Sequence, residues 1–82
     1  MQKSPFTNKY NKFRKLLIEA RKKSGLTQKE VAEKLSRPQS FVSKYERGER
    51  RLDVVEFLEI AKALEISLFS FFRKLEEDTR QQ

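Results

Sequence analysis

The segment SRPQSFVSKYERGER, residues 36–50, contains side chains suited to binding another molecule rather than to changing one. If a helix begins directly after Pro38, four polar side chains lie on or beside one outward face, at about 100° per residue. They are Gln39, Ser40, Ser43 and Lys44. This face offers hydrogen-bond donors and acceptors and a positive charge but no carboxylate, since Glu46 lies near the apolar boundary. We expect its partner to be a polyanion.

Catalytic chemistry has little support in the composition. The 82 residues include no His and no Cys, which removes the usual general base, the usual zinc ligand and a thiolate nucleophile. The serines and lysines fall on exposed helix faces, where local spacing supplies no base to activate them. No cofactor-binding motif occurs. We therefore expect neither an enzyme nor a bound cofactor or metal, and no small-molecule ligand is evident.

Charge is distributed unevenly along the chain, whose formal net charge is +7. Residues 1–51 hold 15 basic and 5 acidic residues, a net charge of +10, whereas residues 52–82 hold 4 and 7, a net charge of −3. The first half is suited to a polyanion and the second is not. The apolar runs are too short to cross a bilayer, and the N-terminus lacks a signal-peptide stretch. We expect a cytoplasmic protein that does not enter membranes.

Five helices are predicted to position these side chains, because only two Gly and two Pro interrupt apolar residues that recur three or four positions apart. The first three helices span about residues 8–23, 28–35 and 39–47, the fourth follows residue 53, and the fifth begins at Ser67. The expected divisions are an N-terminal arm at 1–7, an all-α domain at 8–76 and a frayed tail at 77–82.

Local signals fix where the helices begin and end. Thr27–Glu30 (TQKE) and Asp53–Glu56 (DVVE) are capping boxes, in which two side chains accept hydrogen bonds from each other's backbone amides. Gly25 and Gly48 can adopt the left-handed conformation that ends a helix. The residues expected to be buried in the fourth helix are Val54, Phe57, Leu58, Ala61 and Leu64.

Two short helices joined by a brief turn, the second with small polar side chains facing outward, make the geometry of a helix-turn-helix. The second helix of such a unit fits the major groove of B-DNA. From Phe13 to Phe72 the sequence resembles the Cro/phage-repressor class of helix-turn-helix proteins, the Xre family. The most specific phrases are GLTQKEVAEKL and VSKYERGER. The resemblance implies a compact five-helix fold and a DNA-binding regulator of transcription.

The resemblance also implies roles for individual residues. Those that match the family's base-reading positions are Gln39, Ser40, Ser43 and Lys44. Gln28 matches a glutamine that holds a phosphate and braces the recognition helix, and the amides of Thr27, Gln28 and Lys29 are expected at a phosphate. Further phosphate contacts are expected from Arg37, Arg47, Arg50 and Arg51. For each of these residues, an ordinary solvated position on the surface is the alternative.

Two positions depart from the family's pattern. Ser36 stands in the turn, and Glu65 stands before the last helix, where the family commonly has glycine. A positive φ is costly for a residue with a side chain, so both positions bear on the geometry of the turns.

The fifth helix holds more phenylalanine than one face can bury. At about 100° per residue, Phe69 and Phe71 point about 160° apart. One side is therefore expected to meet a second surface, and we predict a homodimer interface that includes Phe69 and Phe72. A small core that surrounds the helix is the alternative. A dimer would let two recognition helices read a palindrome.

These observations favour a sequence-specific transcriptional regulator that represses by occlusion, because 82 residues leave little room for a ligand-sensing domain. An antitoxin or a restriction-modification controller would use the same fold. A protein–protein adaptor that has lost DNA binding belongs to a different class. The carboxylate-free face and the +10 charge of residues 1–51 count against an adaptor.

Overall fold

Caps at the helix starts and left-handed residues at the helix ends divide residues 7–77, the part of the chain that this computed structural model describes, into five α-helices. They are α1 Asn8–Lys23, α2 Gln28–Leu35, α3 Gln39–Arg47, α4 Val54–Leu64 and α5 Leu68–Glu77. The predicted all-α class is confirmed, and α5 begins one residue after the predicted start. Of the predicted arm and tail, residues 1–6 and 78–82 lie outside the described residues.

Both predicted capping boxes are present. At α2, the Thr27 hydroxyl accepts a hydrogen bond from the Glu30 amide at 3.0 Å, and the Glu30 carboxylate accepts one from the Thr27 amide at 2.9 Å. At α4, Asp53 and Glu56 make the same reciprocal pair at 2.8 and 3.0 Å. Each box satisfies two amides that the helix itself leaves without partners, so the start of each helix is fixed locally.

Four of the helices are followed by a residue with positive φ. These residues are Gly25 at 76°, Ser36 at 58°, Gly48 at 83° and Glu65 at 56°. Ser36 and Glu65 thus adopt the conformation that glycine would take, and both turns keep the hydrogen bonds of a Schellman motif, Arg37 to Ala32 at 3.0 Å and Ile66 to Ala61 at 2.9 Å. Packing of the joined helices offsets the strain at these two residues, so the turn geometry survives without glycine.

The core draws residues from all five helices. Its buried members are Leu17, Val31, Ala32, Phe41, Val42, Tyr45, Phe57, Ile60, Ala61, Leu64 and Phe71. The prediction for α4 was wrong at Val54 and Leu58, which are 71% and 44% exposed, while Ile60 is fully buried. Val54 lies in the first turn, beyond the edge of the core, and Leu58 is turned about 100° away from the buried Phe57.

An aromatic cluster joins the two ends of the described chain. The rings of Phe13 on α1, Phe57 on α4 and Phe71 on α5 lie with centroids 5.3, 5.7 and 5.1 Å apart. Such contacts add to the burial of the rings themselves. Nearby, the Tyr10 hydroxyl accepts a hydrogen bond from the Leu52 amide at 3.2 Å, which fixes the loop before α4 against α1.

The last turn of α3 lies directly on α1. The Arg14 guanidinium donates to the carbonyl oxygen of Glu46, and a Cβ atom placed on Gly48 would lie 3.1 Å from Arg14 Nε. By contrast, a Cβ atom on Gly25 would have nothing within 4 Å. The two glycines therefore share a backbone conformation but differ in the room around them.

We predict that Ser36→Gly and Glu65→Gly each raise the free energy of unfolding by about 0.5–1 kcal/mol, because glycine adopts a positive φ without strain. Urea denaturation of the single variants and of the double variant measures this. Glu33→Gly, an exposed position inside α2, is the control and should lose about 1 kcal/mol. A loss of stability in both turn variants would show that the serine and glutamate side chains themselves stabilise the turns.

Candidate nucleic-acid interface

The outward face of α3 brings the four predicted base-reading residues together. Gln39, Ser40 and Lys44 are exposed, and Ser43 is half-buried, with its hydroxyl 3.4 Å from the Ser40 carbonyl oxygen. The opposite side of the helix is held in the core by Phe41, Val42 and Tyr45. Burial raises the pKa of the Tyr45 hydroxyl, so the side chain stays neutral beneath this face.

Gln28 on α2 and Gln39 on α3 lie side by side. The Gln39 amide nitrogen donates to Gln28 Oε1 at 3.5 Å, and Gln28 Nε2 donates to Glu46 Oε1 at 2.8 Å. Because Glu46 takes the amide nitrogen of Gln28, the oxygen is the atom that faces Gln39. This contact joins the first residue of α2 to the first residue of α3.

Glu46 is the buried carboxylate at the centre of this arrangement, and only 6% of it is exposed. Arg21 on α1 donates to both of its oxygens, from Nε at 2.7 Å and from an outer nitrogen at 3.1 Å, and also donates to the Leu26 carbonyl oxygen at 3.0 Å. The hydrogen bond to Glu46 raises the pKa of Arg21. The bidentate pair neutralises the carboxylate away from the surface.

Sequence reasoning placed Glu46 near the apolar boundary but missed its pairing with Arg21. The available signal was a carboxylate on the inward side of a helix, which calls for a buried cation. The sequence does not show which basic residue supplies this cation, because Arg21 and Glu46 are 25 positions apart.

The N-terminus of α2 is the place where the sequence predicted phosphate contacts. The Thr27 amide is already used by Glu30, at 2.9 Å. The next two amides, of Gln28 and Lys29, have no carbonyl one turn earlier in the helix and lie at its positive end. The Lys29 side chain is exposed beside them.

The four arginines predicted at phosphates all contact other groups of this chain. Arg47 donates to the Glu49 carboxylate at 2.9 and 3.0 Å, which lowers the pKa of Glu49. Arg51 lies over the Tyr10 ring at 4.1 Å. Arg37 and Arg50 lie over the Phe41 ring, at 4.4 and 5.1 Å from its centroid. Each of these guanidiniums is therefore paired or stacked within the chain.

A second surface lies on α4 and α5. Phe69 is 72% exposed and Phe72 is 46% exposed, whereas Phe71 is buried, so the predicted divergence of the rings is confirmed. The rest of residues 7–77 covers only one side of α5. Within that part of the chain, this excludes the alternative of a small core that surrounds the helix. The other large exposed apolar residues are Val54, Val55, Leu58 and Leu68.

Two other kinds of site are absent from residues 7–77. No helix there is both long enough and apolar enough to cross a membrane. The same residues contain no group of His, Cys, Asp or Glu side chains that could hold a metal ion.

The sequence profile of the helix-turn-helix family matches residues 17–71, a stretch that contains α2 and α3 whole. Among solved structures, an XRE-family like protein from Pseudomonas syringae pv. tomato str. DC3000 is 48% identical over 87% of each chain, with a TM-score of 0.81. The restriction-modification controller protein C.Esp1396I is 26% identical over 94% of this chain and 100% of its own, with a TM-score of 0.83. No curated protein sequence matches this chain.

We predict that Glu46→Ala lowers the free energy of unfolding by roughly 3 kcal/mol, because it leaves the Arg21 guanidinium without its buried partner. Urea denaturation followed by circular dichroism measures the loss. Glu49→Ala removes the partner of an exposed pair and should leave the denaturation midpoint close to that of the wild type. Equal effects of the two variants would contradict a structural role for the buried pair.

Proposed function

Because the chain belongs to the Xre-type helix-turn-helix family of DNA-binding transcriptional regulators, we propose that it binds a specific operator through α3 in the major groove and represses transcription as a homodimer. The observation that carries this proposal is the exposed face of α3. It presents amide, hydroxyl and ammonium groups, and the carboxylate on that helix, Glu46, is buried and neutralised by Arg21.

Gln39 is the leading candidate for base recognition. Its amide can donate to and accept from the major-groove edge of adenine at once, and one good bidentate pair discriminates by about 1–3 kcal/mol. Its neighbour Gln28 limits the directions in which that amide can point, at the 3.5 Å contact between them. Ser40, Ser43 and Lys44 follow along the same face and would meet the next bases or the backbone.

Phosphate contacts would hold α3 in this position. We assign them to the amides and side chains of Gln28 and Lys29 at the start of α2, and to four arginines in and beside α3. The arginines are Arg37, Arg47, Arg50 and Arg51. Such contacts release counterions and give affinity that is independent of sequence and sensitive to salt.

The apolar surface of α4 and α5 supports the homodimer. It contains the exposed Phe69 and Phe72, and it lies in the half of the chain whose net charge is −3. A second copy is a suitable partner because two-fold contact buries the same apolar patch on both molecules. Two α3 helices would then read half-sites about one turn of DNA apart, and the bound dimer would occlude the promoter from polymerase.

A restriction-modification controller is a second candidate. The likeness to C.Esp1396I favours it, because that controller aligns along its entire length with 94% of this chain. The two candidates differ in the gene beside the operator. Mapping of the selected site to either a restriction-modification locus or another promoter separates them.

Selection of bound duplexes from a random pool, followed by a gel shift of the winning sequence, tests the proposal. We expect a palindromic motif with half-sites spaced by about one helical turn. Absence of any preferred sequence, together with loss of residual binding at moderate salt, would instead indicate a protein–protein adaptor.

We predict that Gln39→Ala weakens binding to the selected operator by roughly tenfold and leaves binding to random duplex almost unchanged, because it removes a base contact. The matched variant Arg47→Ala removes a phosphate contact, so it should weaken both complexes alike and flatten the salt dependence by about one unit. Fluorescence anisotropy over a salt series measures both. Equal losses on the two duplexes for Gln39→Ala would refute base reading by that residue.

We predict that Phe69→Glu yields a folded monomer that binds the operator weakly, because a charge on the apolar surface opposes contact between two copies. Phe72→Glu should act in the same direction, although its ring also contacts Phe57, with centroids 5.7 Å apart. Light scattering gives the mass. As the control, Ser70→Glu adds the same charge to another exposed position of α5, and this variant should remain dimeric. A monomeric mass for the wild-type protein would refute the dimer hypothesis.

A further inference from the structure

Two of the arginines beside the recognition helix share one carboxylate. Arg50, in the loop after α3, donates to Glu56 Oε2, and Arg37, in the turn before α3, has its guanidinium 3.9 Å from the same oxygen. Arg37 is also 3.9 Å from the Glu59 carboxylate. Since both guanidiniums lie over the Phe41 ring, the cluster gathers two positive charges from opposite ends of α3 at the start of α4.

The carboxylate and the two arginines of this cluster differ in burial, and the difference decides whether a phosphate can reach the arginines. The side chain of Glu56 is only 13% exposed, whereas those of Arg37 and Arg50 are 35% and 40% exposed. The carboxylate is therefore mostly enclosed, while both arginine side chains remain partly open to solvent. A phosphate could approach the arginines from outside, but it would have to compete with Glu56 for their charge.

We infer that Glu56 competes with DNA phosphate for Arg37 and Arg50 and thereby weakens binding to DNA that lacks the operator. The inference rests on the proposed function, which assigns both arginines to phosphates. On random DNA the complex depends on phosphate contacts alone, so two arginines held by Glu56 remove much of the attraction. On the operator, base contacts hold α3 in a position from which both arginines can transfer from Glu56 to the phosphates of the DNA backbone.

Glu56 has two tasks that one substitution can separate. Its Oε1 accepts a hydrogen bond from the Asp53 amide at 3.0 Å and caps α4, while its Oε2 holds the arginines. Glutamine also serves at this position of a capping box, so Glu56→Gln retains the cap and removes the charge. Glu19→Gln is the control for the loss of one negative charge, because Glu19 is exposed on α1 and is not one of the carboxylates that contact Arg37 or Arg50.

The first experiment measures binding of the full chain and both variants to random duplex by fluorescence anisotropy across a salt series. We expect Glu56→Gln to bind roughly two- to fivefold more tightly at low salt, with a salt slope steeper by about 0.9 for each arginine released. Its preference for the operator over random DNA should fall. An unchanged slope, or the same change in Glu19→Gln, would overturn the inference, as would equal gains on the operator and random duplex.

The second experiment tests the coupling directly. Arg50→Gln should cost little affinity for random duplex in the wild type but several-fold more in the Glu56→Gln background, where the arginine has been freed. Additive effects of Arg50→Gln and Glu56→Gln on the affinity would overturn the inference.

If the wild type bound no DNA even at low salt, the proposed function would be refuted as well. Binding by the wild type with no effect of Glu56→Gln would reject this inference alone. Thermal denaturation confirms that each variant is folded.

Discussion

The carboxylate of Glu46 connects three helices, and the orientation of α3 depends on it. Arg21 reaches it from α1 and Gln28 reaches it from α2, with donor distances of 2.7 to 3.1 Å. Removing such a charge from water is costly, and only a complete set of donors compensates for it. Rotation of α3 about its axis would break that set, so the polar network specifies which side of the helix faces outward. Apolar packing alone would tolerate more variation in this angle.

The outward face of α3 and the apolar surface of α4 and α5 are held in place by different kinds of contact. The helix-turn-helix is ordered by ion pairs and amides around Glu46, whereas α5 is attached by the aromatic contacts of Phe13, Phe57 and Phe71. A change on the apolar surface of α4 and α5 can therefore leave the geometry of α3 intact. This division matches the charge of the chain, which is positive in the half with α3 and negative in the half with α5.

Much of the fold follows from local signals, and the errors arise where distant residues decide. The helix starts at residues 28 and 54 were predicted because capping boxes act within four positions. Burial of Val54 and Leu58 was predicted wrongly. Periodicity identifies the apolar stripe of a helix, but it does not show how much of that stripe the neighbouring helices cover. The face of α3 was found from its periodicity and its resemblance to a family. The partners of its arginines depend on side-chain approach across the fold, which no local pattern encodes.

The contrast between Gly25 and Gly48 has a consequence for how this sequence can change over generations. At Gly25 only the backbone angle is restrictive, so asparagine, which tolerates that angle, can replace it in one step. At Gly48 any Cβ atom would also press on Arg14, whose guanidinium holds the last turn of α3. A new side chain there would have to displace the Arg14 guanidinium in addition to adopting the positive φ. Positions 14 and 48, 34 residues apart in the chain, therefore constrain each other.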